Sequence, residues 1–273
     1  MARRRGEGQW IKDRPYRVAG AIVLLLALGA GAWFWLGPDE GDGGPETAGA
    51  PADTAPPRTA AADTAVELPP PDSADPLIRE MAGQLSSHPR LAEWLVTEDL
   101  ARRFVGAVVQ VGSGLSPRDE LDFVDPEGTF RVRERGEGPV IAPAAYDRYD
   151  RIVEAFVSLD TRGTAEAYRR LEPLFQRIYR ELGFPEGDFD VAMARAVETL
   201  LAVPVPGAPV AVEPTGGEAW AYRDPALEEL APAKKHLLRA GPENVRRVQE
   251  KLRELADAME LPTVAAPARE DTT

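Results

Sequence analysis

The chain contains no cysteine. That absence excludes disulfides, thiolate zinc sites, cysteine nucleophiles and the acylated cysteine of a bacterial lipoprotein anchor. Histidine is almost as scarce. His88 and His236 are the whole supply, too little for a transition-metal site built on imidazoles. Neither a Walker loop nor G-x-G-x-x-G occurs, so no glycine-rich turn is offered to a phosphate. Positive charge is in the minority: 32 Lys and Arg stand against 45 Asp and Glu, a formal net charge of -13. A nucleic-acid partner needs a basic footprint that this balance does not supply.

One long hydrophobic run is present. "VAGAIVLLLALGAGAWFWL", Val18 to Leu36, carries no charge. As a helix it spans about 28 Å, close to the hydrocarbon thickness of a bilayer. Arg3, Arg4, Arg5, Lys12, Arg14 and Arg17 precede it, and Asp39, Glu40 and Asp42 follow. The positive-inside rule then predicts a basic cytoplasmic tail (1–17), a single transmembrane helix (18–36) and export of everything beyond. Trp33, Phe34 and Trp35 suit the outer membrane interface. Cleavage after Ala30-Gly31-Ala32, as in a signal peptide, is the alternative reading of the same run.

Residues 37–75 are rich in Pro, Ala, Gly, Thr and acid, with nine acids against Arg58 alone. Too few large apolar residues are present to offset the entropy of ordering. This segment reads as a disordered spacer reaching roughly 35 Å as a flexible coil, or up to about 120 Å if stretched. The "ELPPPD" stretch within it is a possible docking motif.

From Pro76 apolar residues recur at helical spacing, which predicts a mainly α, multi-helix globular domain over 76–262. Asp75-Pro76 predicts a helix cap, His88-Pro89 a restart, and Thr97 the cap of the next helix. "FRVRERGEGPVI" (Phe130 to Ile141) and "PVAVEPTGGEAWAY" (Pro209 to Tyr222) predict short β-hairpins. Pro143 opens a strong helix. Pro173 is expected to kink or split the helix after it, and Gly183 to stop that helix. Asp188 and Asp224-Pro225 cap further helices, the latter carrying Leu227, Leu230, Leu237 and Leu238 inward. A short disordered tail, 263–273, closes the chain.

Four blocks carry a family likeness: "LAEWLVTEDLARRFV" (from Leu91), "YDRYDRIVEAFVSLD" (from Tyr146), "YRRLEPLFQRIYRELGFP" (from Tyr168) and "YRDPALEELAPAKKHLLRAGPENVRRVQEKLREL" (from Tyr222). In these the chain resembles a bacterial family known only as domain of unknown function family 3014. The resemblance implies a membrane helix, a low-complexity spacer and a helical domain. It implies no activity and no catalytic residues.

Candidate chemistry is sparse. Asp119, Glu120, Asp122, Asp125 and Glu127 gather in one stretch, but not in the order of an EF-hand loop, so the reading is a solvated loop with calcium as the weaker alternative. Ser86, Ser87 and His88 adjoin one another without a nucleophile elbow. No catalytic, cofactor or metal residue is assigned. The stretch "APAKKHLLRAGPENV" (Ala231 to Val245) places Lys234, Lys235, His236 and Arg239 at a helix end, with Gly241 suited to a left-handed cap and Pro242 to the next first turn. Such cations complement the helix dipole. With Arg246, Arg247 and Lys251 they also make a candidate basic face: Lys234, Lys235, Arg239, Arg246, Arg247 and Lys251. An acidic envelope protein or an anionic envelope polymer is the expected partner there, and the bilayer the partner of 18–36. The whole reads as a single-pass protein of the cytoplasmic membrane with a periplasmic or extracytoplasmic domain. Its expected role is scaffold, adaptor or accessory factor, the alternative being an enzyme on envelope glycan or peptide.

Overall fold

A computed structural model describes residues 68–264, apart from Asp125, Glu127, Glu137, Gly217 and Glu218. The expected membrane segment 18–36, the spacer up to residue 67 and the tail from 265 lie outside the described residues. Among the described residues, no helix is long and apolar enough to cross a membrane.

The architecture is mainly helical with two small antiparallel strand pairs. In chain order it comprises α1 (Asp75–Ala82), α2 (Pro89–Trp94), α3 (Leu100–Gly112), β1 (Val132–Arg135), β2 (Gly138–Ile141), α4 (Pro143–Tyr146), α5 (Asp150–Val157), α6 (Thr161–Glu181), α7 (Phe189–Leu201), β3 (Val212–Gly216), β4 (Ala219–Tyr222), α8 (Pro225–Glu228), α9 (Pro232–Leu238) and α10 (Pro242–Met259). Short 3-10 turns stand at Pro71–Ser73 and Asp147–Tyr149.

The core lies among α3, α6, α7 and α10. The helix α3 packs along α7 and α6, while α10 covers α6, α5 and α7. Aromatic rings fill the centre: Phe104 of α3 lies 4.8 Å from Phe175 of α6, and Phe175 lies 5.7 Å from Phe189 of α7. Tilted ring pairs of this kind add to the roughly 1.5–3 kcal/mol that each such buried side chain contributes. Side-chain amides close the helix ends. Gln249 Nε2 lies 2.9–3.3 Å from the carbonyl oxygens of Leu200, Leu201 and Val203 at the end of α7. Gln176 donates to the Gly187 carbonyl and accepts from the Phe189 amide, both at 2.8 Å. These side chains satisfy groups that a helix cannot satisfy alone.

Several local signals act as predicted. His88 accepts from the Arg90 amide at the start of α2, and Asp188 and Asp224 cap α7 and α8. Gly183 stands at φ 105 just after α6. Others resolve differently. Pro143 opens not one helix but α4, a 3-10 turn and α5. The helix α6 runs unbroken through Pro173, because Leu171, Leu174 and Phe175 around it are fully buried and their packing outweighs the roughly 3 kcal/mol that an interior proline costs. The single helix expected after Asp224 breaks into α8 and α9, since Pro232 lacks an amide proton and its ring would meet the carbonyl four residues back.

The spacer's last residues belong to the fold. Leu68 packs on the core, Ala74 is fully buried, and Asp72 pairs with Arg102 at 2.9 Å. Asp75 caps a helix, but not its own. Its carboxylate accepts from the amides of Asp99 and Leu100, each at 2.9 Å, at the start of α3. Thr97 does not cap α3. Its carbonyl accepts from Arg79 at 2.8 Å, and the same guanidinium reaches the Leu95 carbonyl at 2.6 Å and Asp75 at 3.1 Å. Asp99 sits at φ 59, a left-handed conformation costly for a non-glycine residue, and the Asp75 carboxylate holds it there. Asp75→Ala leaves two amides without their acceptor and is expected to lower stability by about 1–3 kcal/mol, read as a shift of the urea midpoint. An unchanged midpoint would remove Asp75 from this role.

Candidate functional site

The corner between α9 and α10 turns on Gly241. Its backbone adopts φ 86 and ψ 162, a region open essentially to glycine alone. The positive φ is as the sequence predicts, but the role differs: α9 ends on Arg239 in ordinary right-handed geometry, and Gly241 is the N-cap of α10. A Cβ at this position would lie 2.5 Å from Cγ of Tyr146, so the end of α4 presses directly on the corner. Asn244 fastens the same place, donating to Asp150 at 2.8 Å and to the Ala240 carbonyl at 3.2 Å.

The six candidate basic residues are not equivalent. Lys251 is buried, with Nζ 2.7 Å from Thr161 Oγ1 and 3.3 Å from Glu254. Lys235 is largely covered and pairs with Glu228 at 2.9 Å. Arg239 lines an internal cavity. Arg247 is half-buried and donates to Asn244 at 3.3 Å. Lys234 is half-buried and Arg246 exposed.

His236, whose neighbours Leu237 and Leu238 face the core as predicted, is itself buried. Ser116 Oγ stands 3.3 Å from both ring nitrogens. Burial first, then the nearby charges of Arg239 and Arg118, lower its pKa to about 3, so the ring is neutral near pH 7.

The cavity lies where the two hairpins meet. The Ile141 amide donates to the Val210 carbonyl at 2.9 Å, and Val140 bridges to Ala211, which sets β2 beside the entry to β3. Between these strands, α4 and the end of α9 is a space of about 20 Å³, room for roughly one water. Phe130, Ile141, Val212 and Trp220 give it apolar walls, and Arg148, Tyr149, Tyr222 and Arg239 give it polar ones. Tyr222 is only 5% exposed. Its hydroxyl and Arg239 Nε are buried with no well-aligned hydrogen bond, although the hydroxyl lies close enough to the Arg239 guanidinium to be influenced by it as a donor. Burial pushes the Tyr222 pKa up, and the adjacent Arg239 charge opposes that only in part. Glu228 is already engaged, accepting from the Tyr222 amide at 2.8 Å and from Lys235 at 2.9 Å. Of the cavity's polar residues, the sequence pointed to Arg239 alone. Arg148, Tyr149 and Tyr222 carry no local signal of a site, because the cavity exists only once the hairpins adjoin.

The weaker candidates are engaged elsewhere. In the acidic stretch, Arg103 donates to Asp122 at 2.8 Å and to the carbonyls of Asp119 and Glu120, so the protein supplies its own cation. Asp125 and Glu127 of that stretch lie outside the described residues. Among the described residues, no group of three or more metal-ligating side chains could hold an ion. His88 serves the α2 cap, and Ser86 Oγ lies 2.6 Å from Ser158 Oγ. Neither is arranged as a nucleophile and its base.

The buried histidine gives this region a pH signature. A histidine in the unfolded chain titrates near 6.5, whereas His236 titrates near 3 when folded. Between those values the unfolded chain binds a proton that the native one does not. Stability from this group is therefore complete above about pH 6.5 and falls as pH drops towards 3, by up to about 1.4 kcal/mol per pH unit. Urea unfolding across that range is expected to be less pH-dependent in His236→Gln than in the parent. Equal slopes would mean that His236 takes up its proton in place.

No curated protein and no solved structure matches the chain. Residues 100–256, from the first residue of α3 nearly to the end of α10, match the family model described as Protein of unknown function (DUF3014), and the chain belongs to that family.

Proposed function

We propose that this is a binding domain rather than a catalytic one. Its N-terminal segment 18–36 holds it outside the cytoplasmic membrane, and it serves as a scaffold, adaptor or accessory factor of the cell envelope. The observation that carries the binding reading is the chemistry of the cavity between the hairpins. Proton transfer near neutral pH needs a group that titrates close to it. The polar residues here are arginines, which stay charged, and tyrosines, one of which burial holds more firmly protonated still. Such groups orient and neutralise a ligand without exchanging protons with it. The membrane setting is supported by the uncharged run, the basic residues before it and the acidic spacer after it. Lys234, Arg246 and Arg247 remain accessible at the corner and suit an acidic envelope protein or an anionic envelope polymer.

Two measurements test this. A reporter active only outside the cytoplasm, fused after Thr273, is expected to work; a silent fusion would overturn the topology. Native mass spectrometry of full-length protein lifted from its own membrane is expected to show a bound species that Tyr222→Phe loses. Identical, ligand-free masses for both proteins would speak against a binding domain.

A further inference from the structure

The walls of the cavity specify a ligand. Arg239 Nε and the Tyr222 hydroxyl are both buried with no well-aligned partner; the group nearest the hydroxyl is the Arg239 guanidinium, itself a donor, which leaves the hydroxyl proton without an acceptor. Buried donors of this kind are uncommon in native proteins. A second guanidinium, that of Arg148, lines the same space, and no carboxylate does. Glu228, whose charge is felt at Tyr222, is already held by Lys235 and a backbone amide. The site therefore offers positive charge and hydrogen-bond donors, with tyrosine hydroxyls as its only side-chain acceptors. A water could accept from these donors and donate back to a tyrosine oxygen, but it brings no charge to set against the Arg239 guanidinium. A flat anion with two oxygens accepts from all of them, and a guanidinium matches a carboxylate in shape. The enclosed space of about 20 Å³ takes only a small polar group, so the rest of a ligand would lie towards the surface. Phe130 and Trp220, both only half-buried, extend the wall to the surface as an apolar rim.

We propose that the cavity between the two hairpins binds a carboxylate carried on an apolar group, with the carboxylate on Tyr222 and Arg239 and the apolar stem against Phe130 and Trp220. This rests on the binding reading above and names its ligand class. A short apolar acid and the C-terminal residue of a peptide share this chemistry.

The test uses full-length protein in detergent, followed by calorimetry and thermal melting. The probes are benzoate, its neutral isostere benzamide, inorganic phosphate, and a pentapeptide ending in leucine as free acid and as amide. Benzoate is expected to bind and raise the Tm, with benzamide at least about tenfold weaker. Tyr222→Phe is expected to weaken benzoate at least about tenfold. The same variant keeps or raises the ligand-free Tm, because it removes a hydroxyl proton that has no acceptor. Competition by the free-acid peptide, but not by its amide, identifies a peptide C-terminus as the source; benzoate binding without peptide competition identifies a small acid. Phosphate binding with the same dependence on Tyr222, and no response to benzoate or peptide, overturns the carboxylate assignment and leaves the binding domain standing. No anion response, together with a lower ligand-free Tm in Tyr222→Phe, means that the hydroxyl holds a structural water, and both readings fall.

Discussion

The absence of one Cβ at Gly241 sets the geometry on which the rest of this region depends. The backbone there lies in a glycine-only conformation, and any larger residue would strike the Tyr146 ring. That contact decides how α10 leaves α9. The polar end of α9 is thereby turned inward, with His236 buried against Ser116 and Arg239 lining the cavity. Tyr146 in turn lies close to Tyr222, and burial followed by that neighbour raises its pKa. Corner, α4 and the second hairpin are therefore one packed unit, joined to α5 through Asn244 and Asp150.

Among the described residues, several buried or half-buried polar side chains find partners across the fold. Gln249 closes α7, Gln176 ties α6 to the start of α7, and Asp75 caps a helix across the chain. Lys251, a residue type seldom buried, is held by Thr161 and Glu254. Against this background the Tyr222 hydroxyl and Arg239 Nε, buried with no well-aligned partner beyond each other's side chains, stand apart. A small space ringed by donors in such a fold is one where an acceptor would be stabilised.

The sequence made much of the fold legible because much of it is local. Apolar spacing marks the faces of α3, α6 and α10, glycine pairs mark the hairpins, and His88, Asp188 and Asp224 cap the helices that follow them. What was not legible depends on contacts between distant segments. Asp75 has proline beside it and reads as a cap for α1, but its acceptor geometry serves α3. Proline and acid content assigns residues 68–75 to the spacer, although Leu68 and Asp72 find partners on the domain. Lys234, Lys235, Arg239, Arg246, Arg247 and Lys251 look like one face in the sequence. Their surroundings differ because Glu228 and Thr161 reach two of them from other elements. The cavity was the least legible feature, since Arg148 and Tyr222 line one space only where β2 and the entry to β3 adjoin.

The most direct measurement is a crystal structure of the protein grown with 4-bromobenzoate, with the bromine located by anomalous scattering. The bromine is expected at the mouth of the cavity beside Trp220 and Phe130, with the carboxylate within hydrogen-bond distance of Tyr222 Oη and Arg239 Nε. A cavity holding a single water bonded to Tyr222, with no bromine signal at its mouth, would contradict that expectation.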